Sequence, residues 1–108
     1  MRNGTSKQRY EVHLPVAVCG PGRTQAAGVT DYISKRDIRF SVDEPLAVKQ
    51  GTAIMLFVRL PAQITAGNQV LLRARGQIRR VERISEAGSE RQTFTATMDW
   101  YDFMTKGL

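Results

Sequence analysis

The chain predicts an all-β fold, a small six-stranded antiparallel barrel with little or no helix, and three observations lead there. Apolar residues recur at every second position through almost every ordered stretch, turn residues separate the stretches at hairpin length, and no stretch carries the 3.6-residue apolar spacing of an amphipathic helix. Closure into a barrel is expected over an open sheet because it removes exposed strand edges. With 108 residues, the chain is expected to form one domain over residues 1–108, long enough to bury a single core.

The first strand places Tyr10, Val12, Leu14, Val16 and Val18 on one face and Glu11, His13 and Cys19 on the other, and it ends at Gly20, Pro21 and Gly22. The second runs over residues 24–33 with Ala27, Val29 and Ile33 at odd positions. A charged turn follows, and Ile38, Phe40 and Val42 then alternate with Arg39 and Ser41 as strand three. After the interruption at Asp43, Glu44 and Pro45 and a turn signal at Lys49, Gln50 and Gly51, strand four covers residues 52–60. It is apolar on both faces, with Ile54, Leu56 and Val58 on one and Met55 and Phe57 on the other, so something must cover its outer side. The ending WYDFMTKGL is expected to fold back over that face, with a second copy or a partner protein as the alternative.

Strand five is long. Val70, Leu72, Ala74, Gly76 and Ile78 alternate with Leu71, Arg73, Arg75, Gln77 and Arg79, and the next apolar residue, Val81, comes one position late, which predicts a bulge near Arg79 and Arg80. Strand six follows the turn at residues 86–89, with Phe94, Ala96, Met98 and Trp100 on the core side.

The balance is basic, formally +6, and twelve of the sixteen cations are arginine. Arginine's planar fork suits bidentate phosphate and guanine recognition, so nucleotides and nucleic acid enter the list of ligands. No apolar run reaches the roughly 18 residues of a membrane span, and the start MRNGTSKQRY lacks the apolar middle of a secretion signal. A cytoplasmic protein without membrane contact is expected. The single cysteine, Cys19, and the single histidine, His13, offer neither a disulfide nor a metal cluster. Ser34 has no histidine base in sequence reach and no pair of carboxylates is set for acid and base work, so the chain reads as a non-enzyme without a cofactor.

The turn at residues 32–37, Tyr32-Ile33-Ser34-Lys35-Arg36-Asp37, gathers a hydroxyl, two cations and a carboxylate at a strand junction. Together with the opening strand RYEVHLPVAV, the connection DEPLAVKQGTAIMLFVRLP and the strand RARGQIRRVE, it resembles the PilZ domain family of bacterial cyclic di-GMP receptors over residues 8–103. The family signature is RxxxR followed some twenty residues later by [D/N]xSxxG. Arg9 stands in the place of the second arginine, Thr5 replaces the first, and Lys7 and Arg2 are out of register. In the hexad Ser34 is kept, Tyr32 stands where an Asp or Asn is expected, and Asp37 stands where glycine is expected.

The resemblance implies a six-stranded barrel acting as a binding or adaptor module in cyclic di-GMP signalling. It implies ligand roles for Arg9 in stacking and pairing, Ser34 in fixing the turn, Lys35 and Arg36 in answering the phosphates, and Asp31 in reaching the guanine edge. On a regular strand Asp31 would face away from Tyr32. Asp37 sets a carboxylate against an anionic ligand; at about 5 Å and an effective dielectric near 20 a like-charge pair costs roughly 3 kcal/mol. Two other classes stay open. One is a protein-interaction barrel that pairs with a second copy or a partner through the Met55 and Phe57 face. The other is a nucleic-acid barrel using the outward stripe Arg73, Arg75 and Arg79, disfavoured because Tyr10, Phe40, Phe94 and Trp100 are expected to face the core rather than stack on bases.

Overall fold

The computed structural model describes residues 9–22, 24–62, 65, 67, 69–86 and 88–105. It contains seven strands and, among the described residues, no helix: β1 Pro15–Cys19, β2 Gln25–Ile33, β3 Asp37–Val42, β4 Ala53–Leu60, β5 Val70–Glu86, β6 Ser89–Thr97 and β7 Trp100–Thr105. Their order is β4-β1-β2-β3-β6-β5-β7, and β5 also pairs with β4, which closes six strands into an antiparallel barrel. The seventh is an addition to the expected count.

Alternation fills the barrel as the sequence implies. Val16 and Val18 of β1, Ile38, Phe40 and Val42 of β3, Ile54, Leu56 and Val58 of β4, Leu72, Ala74 and Ile78 of β5, and Phe94 and Ala96 of β6 are all buried. Phe40 and Phe94 are register partners whose rings stack at 5.3 Å between centroids. Each buried valine, leucine, isoleucine or phenylalanine among them contributes about 1.5–3 kcal/mol of burial free energy. Close strand approach depends on two glycines, because a Cβ at Gly28 would overlap the carbonyl oxygen of Ser41 and one at Gly76 that of Thr97.

Three expectations are corrected. Regular β1 pairing begins at Pro15, and residues 10–14 run irregularly beside β2 with a single bridge between Tyr10 and Ile33. The reason is Thr30: its N–H still donates to the Leu14 carbonyl at 2.9 Å, but its hydroxyl accepts the Leu14 N–H at 2.9 Å and donates to the Val12 carbonyl, so side-chain bonds take over from the ladder beyond this point. His13 Nδ1 lies 3.2 Å from the Thr30 carbonyl oxygen. Secondly, β2 buries Thr30 rather than Val29, which is exposed. A register shift between Thr30 and Tyr32 makes Asp31 a bulge and returns Ile33 to the core side.

The third correction concerns the end of the chain. β6 stops at Thr97, the Met98 N–H donates to the Arg36 carbonyl at 2.7 Å and the Asp99 N–H to the Arg75 carbonyl at 2.8 Å. The strand is then resumed as β7 along Val70–Arg75 of β5, on the edge that β6 has left. Trp100 is thereby 40% exposed, and Tyr10 is 59% exposed, where both were expected in the core. The bulge expected near Arg79 lies between Ile78 and Arg80.

The two ends of the barrel differ. At one, the connection between β3 and β4 folds inward, Leu46 is buried, and its N–H donates to Gln92 Oε1 at 2.7 Å. At the other end no such cover is formed among the described residues.

Candidate functional site

The turn between β2 and β3 is closed by Ser34. Its N–H donates to the Asp37 carbonyl at 2.8 Å, its hydroxyl accepts the N–H groups of Arg36 at 3.2 Å and Asp37 at 3.0 Å, and the same hydroxyl donates to the Asp37 carboxylate. Asp37 is therefore turned into the turn it terminates. Lys35 and Arg36 stand exposed at the tip, and among the described residues neither forms an ion pair.

Asp31 lies elsewhere than a regular strand would put it. The bulge brings its carboxylate to the outer face, where Oδ2 accepts the Ser41 hydroxyl at 3.2 Å and lies 3.6 Å from Arg39 Nε. Arg39 also approaches Glu82 Oε1 at 3.5 Å, an ion pair outside hydrogen-bond geometry that leaves this buried oxygen without a hydrogen bond. Ser41 continues the network to Thr93 at 3.1 Å. These half-exposed ion pairs are worth about 0–1 kcal/mol each; their effect is to commit the carboxylate of Asp31.

Arg9 is committed as well. Its guanidinium carbon lies 4.5 Å from the centroid of the Tyr32 ring, a cation–π contact on the outer face beside Arg39, the register partner of Tyr32. Of the sequence-derived site residues, Arg9 and Asp31 thus share the outer face of the β2–β3 pair, Ser34 holds the turn, and Lys35 and Arg36 project beyond it. Thr5, Lys7 and Arg2 lie outside the described residues.

The outer face of strand β4 is covered differently from expectation. The tail pairs beside β5 instead of lying over β4, and the register sets Met55 next to Arg75 and Cys19, and Phe57 next to Arg73 and Ala17. Both apolar side chains are half-buried. Arg73 makes a bidentate pair with Asp102 at 3.2 and 2.9 Å, and both Arg73 and Arg75 lie 5.3 Å from the Trp100 ring centroid. The hydrogen bond and then the charge of Asp102 raise the Arg73 pKa further above its usual value. Part of the arginine stripe is therefore occupied with β7.

At the open end, inward-facing side chains of β7 meet residues 10–14 and the Ser34 turn across a cavity of about 410 Å³. Its walls are almost wholly apolar, with Leu14, Leu60, Leu72 and Met98 deeper and Tyr10, Tyr101 and Phe103 at the rim; Lys35 supplies the charge. Tyr101 and Phe103 meet edge to face at 5.9 Å and are 45% and 60% exposed. Sequence reasoning missed this mouth. The signal was the pair Tyr101 and Phe103, two residues apart in WYDFMT, which a strand sets on one face.

The barrel aligns with the Bacillus subtilis inhibitor of motility MotI/DgrA at a TM-score of 0.72 and 17% identity, over 94% of this chain. The fold is the PilZ-like barrel. A second alignment, TM-score 0.57 and 14% identity over 83% of the chain, is with Borreliella burgdorferi PlzA, solved in complex with c-di-GMP. The chain spans 45% of the first structure's length and 38% of the second's. No family model and no curated protein matches the sequence.

Proposed function

We propose that this barrel is a non-enzymatic PilZ-type adaptor of bacterial cyclic di-GMP signalling, working in the cytoplasm through protein contact, with its dinucleotide grip taken up by internal contacts. One observation carries the reading: Arg9, the arginine that resemblance assigns to base stacking, lies 4.5 Å over the chain's own Tyr32. A guanine would have to displace that ring. Asp31, which would have to answer the guanine edge, is already bonded to Ser41 and close to Arg39. Each of these contacts must be given up before the dinucleotide gains a replacement, so the net gain per contact is small.

A second reading, direct cyclic di-GMP binding, is favoured by Lys35 and Arg36, exposed cations at the turn without an ion-pair partner among the described residues. Calorimetry and chemical-shift titration with cyclic di-GMP, at low and near-physiological salt, separate the two. The adaptor reading expects no response below millimolar dinucleotide. Micromolar binding that Arg9→Ala abolishes would establish the receptor instead.

A further inference from the structure

Two properties coincide at the open end of the barrel. β7 is the last strand of the sheet and, among the described residues, pairs with β5 alone, so its other edge offers unpaired main-chain groups. That edge borders the apolar cavity, whose opposite wall is residues 10–14 with Ser34 and Lys35. Within Trp100–Thr105 the edge carries no proline and no lysine, and its one charge, Asp102, is tied to Arg73. Phe103 and Tyr101 point from it toward the cavity and remain half exposed.

We infer that this opening captures an extended peptide segment of a partner protein, added as a strand to β7, with alternate apolar side chains entering the cavity and a carboxylate meeting Lys35. The inference rests on the adaptor reading, for which it names the contact surface. An extended peptide satisfies both features together: its main chain pairs the β7 edge and every second side chain fills the apolar wall. A small apolar molecule would satisfy only the wall. Residues 1–8, MRNGTSKQ, carry a single large apolar side chain and cannot supply the alternation. Charge distinguishes the remaining occupants. The chain is +6 overall, and Lys35 and Arg36 stand at this end, so a second copy brings repulsion where an acidic segment brings attraction.

The test uses a ten-residue peptide of alternating valine and threonine ending in two aspartates, its twin ending in two lysines, and the full chain labelled for amide NMR. With the acidic peptide at up to millimolar concentration, shifts and slowed amide exchange are expected in β7 and residues 10–14. Binding should weaken about tenfold in Lys35→Glu, and the lysine-ended twin should bind the parent chain more weakly. No perturbation of the β7 amides overturns the proposal, as does perturbation confined to another face. Protection of β7 that rises with protein concentration without peptide also overturns it, in favour of a second copy. Cyclic di-GMP titrated in parallel reads the adaptor assignment separately: micromolar dinucleotide binding would remove that assignment and leave the peptide result standing.

Discussion

The two ends of this barrel are built from similar residues and reach opposite outcomes. At the end beyond β3, the connecting chain carries one leucine inward, and Gln92 fixes the loop by accepting the Leu46 N–H, so the core is covered by the chain's own backbone. At the end beyond β4, Leu60, Leu72 and Met98 are met by nothing comparable among the described residues, and the aromatic side chains that reach the opening remain about half in water. The outer face at Tyr32 falls on the first side of this contrast, since its arginine and carboxylates are matched internally. Internal satisfaction marks where the molecule has least to gain from a ligand, and the open mouth marks where it has most.

Removing the plug of the closed end should have the largest effect. Leu46 is 2% exposed and packs in the core cluster, so Leu46→Ala is expected to cost about 2–5 kcal/mol, the usual range for a buried leucine replaced by alanine. Urea unfolding followed by Trp100 fluorescence reads it. A loss under 1 kcal/mol would mean the two ends are equally open and would dissolve the contrast.

The wall of the open end depends on Thr30, and its replacement is expected to be intermediate. Thr30→Val keeps the shape and removes the hydroxyl that bonds both the Val12 carbonyl and the Leu14 N–H. Leaving those backbone groups unpaired costs about 1–3 kcal/mol. Amide exchange should accelerate in residues 10–14 ahead of β3 and β6. Uniform acceleration across the barrel would show that this segment is an integral strand rather than a separable wall.

Most of the barrel could be read from the sequence because period-2 alternation fixes which side chains face inward in β1, β3, β4 and β5, and the late arrival of Val81 exposed the bulge before it. Alternation holds for the faces of residues 10–14, where Val12 and Leu14 turn inward and Glu11 and His13 outward, but it carries no sign that Thr30 replaces the ladder there, and the Asp31 bulge sets Val29 and Ile33 on opposite faces. The break at Asp99 was invisible for a related reason: Met98 and Trp100 keep the period while the chain steps from one strand to the next. At the turn, the Ser34 hydroxyl bonds the N–H groups of Arg36 and Asp37, contacts within three residues of it in sequence. The partners of Arg9 and Asp31 come from elements distant in sequence or from a bulge, and a local pattern carries no record of either.

The smallest effect on stability should come from Phe103, and it sharpens the contrast most. The ring is 60% exposed at the rim and lies outside the buried cluster, so Phe103→Ser is expected to change unfolding free energy by no more than about 0.5 kcal/mol, as surface substitutions away from special features do. The same change removes a large part of the apolar rim, and binding of an apolar fluorescent dye to the native protein should fall several-fold. Leu46→Ala should show the reverse pattern, with stability lost and native-state dye binding at the mouth retained. If Phe103→Ser instead destabilises the fold by more than 2 kcal/mol, β7 and its aromatics belong to the core, and the mouth is a closed end rather than a surface awaiting a partner.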